Sequence, residues 1–158
     1  MTGAGIDTKE LERFLTKLGN SRAALREARR QAMEAAGPKL KTLLDGEIGG
    51  TGKVRRWQEA AVGSGGGYSA VRPKANTWAE DGRGRTTRYQ VGRVTKAIES
   101  GHAFPAPGGK QGYRPRIRSG RMSVPGRHFY EAAQARVPEI AREAAEQVLD
   151  ALKQHLEG

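Results

Sequence analysis

Apolar positions recur at helical spacing at both ends of the chain and lose that period in the middle. Leu11, Phe14, Leu15 and Leu18 fall on one face behind Asp7-Thr8-Lys9-Glu10, which has the form of a capping box, so a helix is predicted to begin there. Gly19-Asn20-Ser21 predicts a break, glycine as terminator and serine as a new cap. A longer second helix follows, with Leu25, Ala28, Ala32, Ala35 or Ala36, Leu40, Leu43 and Leu44 as its buried stripe. Arg22, Arg26, Arg29 and Arg30 stand on or near the opposite side. Gly37-Pro38 predicts a bend, because an interior proline lacks an amide and crowds the preceding turn.

From Val54 to Ile98 short strand-like runs alternate with turn formers: Val54–Val62, Tyr68–Arg72, Asn76–Ala79 and Thr87–Ile98. Asp81-Gly82-Arg83-Gly84-Arg85 reads as a hairpin tip. These runs predict one antiparallel sheet of three or four strands, with Trp57 and Trp78 as core anchors rather than stacking platforms. A last helix is predicted from Phe129, kinked or restarted at Pro138, with Val137, Ile140 or Ala141, Ala144, Val148, Leu152 and Leu156 as its stripe. The expected fold is α+β, two long helices on a small antiparallel sheet. A single domain over residues 1–158 is divided as helical 8–46, sheet 53–100, an extended arm 101–127 and a C-terminal helix 129–157.

The arm is set apart by charge. No carboxylate lies between Glu99 and Glu131, while Lys110, Arg114, Arg116, Arg118, Arg121 and Arg127 do, together with four prolines and six glycines. Such a segment buries little apolar surface and takes its order from whatever it lies against. Of the net charge of +11, residues 49–130 carry +12 while residues 1–48 carry +2 and residues 131–158 carry −3. A basic centre of this kind suits nucleic acid, an acidic protein surface, or solvated arginines.

With 158 residues, 36% hydrophobic and only 6% aromatic, the core is modest and suits a subunit supported by neighbours. Cysteine is absent, which removes disulfides, thiolate nucleophiles and thiolate metal sites. No apolar run approaches the ~20 residues that span a bilayer, and Met1-Thr2-Gly3-Ala4-Gly5 lacks a signal-peptide pattern. A soluble protein made in the cytoplasm, without membrane contact, is expected.

Catalytic material is sparse. His102, His128 and His155 stand singly, without the spacing of a helical zinc site, and no serine sits in a nucleophile elbow. Asp45-Gly46-Glu47-Ile48-Gly49-Gly50-Thr51-Gly52-Lys53 resembles a phosphate-binding loop only superficially. Glu47 stands where glycine is needed, Val54 where a hydroxyl is needed, and no apolar strand precedes it. No catalytic residue, cofactor or metal site is expected.

Two stretches, Thr51-Gly52-Lys53-Val54-Arg55 and Ala97-Ile98-Glu99-Ser100-Gly101-His102, resemble the tail-completion (head–tail joining, neck) proteins of long-tailed bacteriophages. That family has a leucine-spaced N-terminal segment, an alanine-rich helix, a threonine-glycine-x-leucine-arginine turn into strands and an isoleucine-glutamate-x-glycine strand end. A variable loop then leads to proline-x-arginine-proline-phenylalanine before the last helix. Here Val54 replaces the leucine, the loop is long, and Pro125-Gly126-Arg127-His128-Phe129 carries His128 in place of the second proline. The order holds from about Leu11 to Leu156.

The resemblance implies a virion protein of the neck, a tail-completion or tail-terminator subunit in a homo-oligomeric ring, a hexamer. The ring would join the tail tube protein to a head-completion or stopper protein, with phage DNA passing through its lumen. It marks Thr51, Gly52, Arg55, Glu99, Gly101, Pro125, Gly126, Arg127 and Phe129 as assembly or motif positions. Arg83, Arg85, Arg88, Arg114, Arg116, Arg118 and Arg121 are candidates for inter-subunit or polyanion contacts. The competing reading is a basic nucleic-acid-binding protein in which these arginines neutralise phosphates.

Overall fold

The computed structural model describes residues 8–50, 52–103 and 123–157. The chain mixes helix and sheet in the order α1 (Thr8–Glu47), α2 (Lys53–Trp57), β1 (Gln58–Val62), β2 (Ser69–Pro73), β3 (Trp78–Glu80), β4 (Thr86–Gln90), α3 (Val91–Ser100), β5 (Gly101–Ala103), β6 (Ser123–Pro125), α4 (Phe129–Gln134) and α5 (Val137–Glu157). Both long helices are present.

Several expectations are corrected. α1 runs through Gly19-Asn20-Ser21 without a break; Ser21 Oγ donates to the Leu18 carbonyl at 2.6 Å, a bond within the helix and not a cap. Pro38 lies inside α1, which continues beyond it to Glu47; that continuity does not bear on the bend expected there. The run from Val54 to Val62 is strand only from Gln58, since Lys53–Trp57 makes a short helix behind Gly52, whose φ of 77° is left-handed. The run from Thr87 to Ile98 is strand only as far as Gln90. Val91–Ser100 is helical, which buries Val91 and Thr95 one turn apart. Among the described residues the single sheet is replaced by three two-stranded ones, β1-β2, β3-β4 and β5-β6.

The chain forms two compact units. The first comprises residues 1–40, 60–70 and 137–158. Its buried residues are small: Ala32, Ala36 and Gly37 on α1, Gly66 between β1 and β2, and Ala144 on α5. Gly37 marks a close approach: a Cβ there would stand 3.3 Å from both Ala60 Cβ and Ser69 Oγ, tighter than usual contact. Lys39 of α1 pairs with Glu143 of α5. Pro138 is the second residue of α5, a first-turn position where its missing amide costs nothing, and so it restarts the helix after α4.

The second unit comprises residues 41–59 and 71–136. Its core is Leu44, Ile48, Phe129 and Ala133, flanked by half-buried Leu43, Val54, Val71, Ile98 and Tyr130. Here the stripe expectation holds at Leu44. Trp57 is half-buried, whereas Trp78, expected as a core anchor, is 47% exposed on β3. The three-residue strand β3 lies against one partner strand only, and Ala79, its central residue, is the one that turns inward.

Candidate functional site

The hairpin tip at Asp81 is built as its composition predicts. β3 and β4 pair antiparallel, with Trp78 opposite Gln90 and Glu80 opposite Thr86. The Asp81 carboxylate accepts the Arg83 amide at 2.8 Å and the Arg85 amide at 3.0 Å. Those two amides hold its pKa below the ordinary carboxylate value, that of Arg85 most strongly. Arg85 Nε also reaches Asp81 Oδ2 at 3.1 Å. Arg88 lies 5.0 Å from the centre of the Tyr89 ring and donates to its hydroxyl at 2.8 Å. Of the three hairpin arginines proposed for polyanion or subunit contact, Arg83 alone makes no ion pair or ring contact among the described residues. Arg114, Arg116, Arg118 and Arg121 lie outside the described residues, as does Thr51.

The other motif positions converge. β5 and β6 pair antiparallel, Gly101 opposite Pro125, His102 opposite Val124 and Ala103 opposite Ser123. The two ends of the arm are therefore held side by side. One step inward, the backbones leaving α3 and approaching α4 touch: the Arg127 amide donates to the Ile98 carbonyl at 3.0 Å and the His128 amide to the Glu99 carbonyl at 3.1 Å. Gly101 and Gly126 make this approach possible. A Cβ on Gly101 would stand 2.5 Å from the Val124 carbonyl oxygen, and one on Gly126 would stand 2.3 Å from that of Glu99. Gly101 also has φ 77° and ψ 172°, a combination essentially reserved to glycine.

The Glu99 side chain bonds to α4, its Oε1 accepting the Tyr130 amide at 3.1 Å. Arg127 reaches the other way, its guanidinium donating to the Gly49 carbonyl at 3.4 Å. On the same loop, Arg55 Nε donates to the Ile48 carbonyl at 2.7 Å, satisfying an acceptor just past the end of α1. Phe129, the next motif position, is buried in the core and its ring centre lies 4.9 Å from that of Tyr130. A cavity of about 310 Å³ opens beside the joint, lined by Gly49, Val54, Trp57, Ile98, Val124 and Arg127 among others.

Sequence reasoning missed the polar string beneath the joint. The Tyr130 hydroxyl donates to Gln58 Oε1 at 2.5 Å, and Gln58 Nε2 donates to the Val54 carbonyl at 3.2 Å and Thr95 Oγ1 at 3.4 Å. Burial, with a smaller contribution from the nearby Glu99 carboxylate, pushes the Tyr130 phenol up to about 12. Gln58 and Thr95 are both almost wholly buried. Nothing local marks Gln58 as internal; for Thr95 the signal was its place one helical turn after Val91.

No family profile, curated protein or solved structure matches the chain. Among the described residues no group of three or more histidine, aspartate or glutamate side chains could hold a metal ion. No described helix is long and apolar enough to cross a membrane. The residues of the joint hold backbone to backbone, and they fix the base from which the arginine-rich segment departs and to which it returns.

Proposed function

We propose that the chain is a structural subunit of the bacteriophage neck: a ring-forming tail-completion or tail-terminator protein that joins the tail tube to head-completion proteins around the path of the DNA. One observation carries the reading. Glu99 and Gly101, from the second resembling stretch, meet Pro125, Gly126, Arg127 and Phe129, from the entry to the last helix, in one joint in space. That supports reading the two stretches as parts of a single device, a mount for a basic arm. An arm on a fixed base suits a subunit that interlocks with others, and a conduit for DNA calls for few tight phosphate pairs along its wall.

The test is the triple variant Arg114→Gln, Arg116→Gln, Arg118→Gln, assayed for particle joining by complementation and for duplex binding across a salt series. Loss of joining with DNA binding little changed is expected. Normal joining with a salt slope reduced by roughly 2 to 3 units, the loss of three phosphate contacts, would overturn the reading in favour of a nucleic-acid-binding protein.

A further inference from the structure

The cavity beside the joint has a volume of about 310 Å³, and every residue that lines it belongs to the second unit. Ligand pockets fall at about 300 to 1,000 Å³, so this one suits a compact body, a single ring or a branched chain. Its walls are apolar: Val54 and Trp57 from α2, Ile98 from α3 and Val124 from β6. Water in such a space finds few partners, and an apolar body displaces it at a gain.

The charge at the lining has one sign. Lys53 and Arg127 take part in it, with His102, and none of the lining residues is an aspartate or a glutamate. The carboxylates close by in the chain are engaged elsewhere: Asp45 pairs with Lys41, Glu99 accepts the Tyr130 amide, and Asp81 accepts the amides of Arg83 and Arg85. Glu47 is exposed at the end of α1 and does not line the cavity. The two cations differ in how far they are committed. Lys53 Nζ donates to the Asp81 carbonyl at 3.2 Å, and the Asp81 carboxylate is near enough to feel its charge. Arg127 has the bond to the Gly49 carbonyl at 3.4 Å, and among the described residues its guanidinium meets no carboxylate. A Cβ at Gly50 would stand 3.2 Å from Arg127 Nη1, so glycine keeps the space beside that fork open. A guanidinium presents its donors in a plane that matches a carboxylate, and most of these remain to be used.

We infer that the cavity binds an organic carboxylate with an apolar body, the body seated against Val54, Trp57, Ile98 and Val124 and the carboxylate on the Arg127 guanidinium, with Lys53 as the second cation. An inorganic anion lacks the body and a hydrocarbon lacks the head, so neither uses both halves of the site. A free small acid and the last residue of a peptide share the required chemistry. The site does not rest on the neck reading, which draws on the joint and not on its cavity.

Trp57 makes the test direct. The chain has two tryptophans, and Trp78→Phe removes the exposed one on β3, which leaves Trp57 fluorescence to report what enters the cavity. The full chain with that change is titrated with hydrocinnamate, with its uncharged amide, and with a short alanine peptide ending in phenylalanine and a free carboxylate; calorimetry repeats each titration on the unaltered chain. Hydrocinnamate is expected to saturate the signal at about millimolar concentration or below, and the amide to bind roughly tenfold more weakly. Arg127→Gln should weaken the acid by roughly tenfold and leave the amide unchanged, which also shows that the cavity persists in the variant. Val124→Phe, which fills the cavity from a position 40% exposed, should abolish binding of acid and amide alike. If Arg127→Gln fails to fold, the comparison of acid with amide and the Val124 variant carry the test. Peptide binding alongside the acid supports the site with a chain end as its source, and peptide failure beside a binding acid supports it with a free acid. No saturation by either up to about 10 mM, an amide that binds as well as the acid, or an acid indifferent to either folded variant would overturn the inference.

Discussion

Glu99 holds the start of α4 twice, its carbonyl taking the His128 amide and its carboxylate taking the Tyr130 amide, both at 3.1 Å. A helix six residues long has most of its first amides unpaired unless something outside supplies acceptors. Glu99→Ala removes one such acceptor and is expected to cost about 0.5 to 2 kcal/mol, the usual loss for a helix cap. Glu99→Gln keeps an oxygen at the same reach and should cost less. Urea denaturation of the two variants side by side checks the order.

Gly101 and Gly126 should tolerate nothing larger. Alanine at either places a methyl group well inside contact distance of backbone that has no side chain to swing away. Each substitution is expected to destabilise by about 1 to 3 kcal/mol or more, as overpacking does. Gly46→Ala is the control. It lies in α1 with nothing within 4 Å of its would-be Cβ and should stabilise by roughly 0.5 to 1 kcal/mol. Equal small effects at all three positions would refute the close approach.

Tyr130 ties stability to alkaline pH. Its phenol is pushed up to about 12 in the folded chain, above the ordinary value of 10.0, so the folded state keeps the proton that the unfolded state gives up first. Between those two values the unfolded chain binds fewer protons, and stability falls as pH rises. The contribution is whole below pH 10 and lost on passing about 12. Tyr130→Phe should be less stable than the parent at neutral pH, having lost the bond to Gln58, with a gap that narrows as the pH is taken above 10. A gap that stays constant through that range would count against the raised phenol.

Core truncation separates the stripe that is buried from the one that is only periodic. Leu44→Ala, at 2% exposure, is expected to cost about 2 to 5 kcal/mol. Leu40→Ala and Leu152→Ala, both half-buried, should cost less. Thermal unfolding of the three ranks them directly.

Legibility in the sequence followed how local each cause was. The turn at Asp81, the restart at Pro138 and the burial of Leu44 depend on neighbours a few residues away, and each was readable. The uninterrupted α1 was not: Gly19 disfavours helix by only about 1 kcal/mol, too little to break forty residues of helix without a competing capping geometry. In Val91–Ser100, β-branched Val91, Val94, Thr95 and Ile98 suggested strand by composition, while the spacing of Val91, Thr95 and Ile98 already fitted a helix. Exposure of Trp78 follows from a sheet divided into pairs, which no local pattern announces. The joint was legible as two separate motifs; that Gly101 and Gly126 face each other is a fact of tertiary structure alone.

The pairing of β5 with β6 fixes the two ends of the intervening segment opposite each other, so their spacing is set by the scaffold and not by that segment. With Ala103 and Ser123 fixed opposite each other, a flexible insert between them would raise the closure entropy by only about 0.6 kcal/mol for each doubling of length. A flexible insert of different length at that point would therefore cost the scaffold little. An affinity tag or a fluorescent label placed there would draw on the same tolerance.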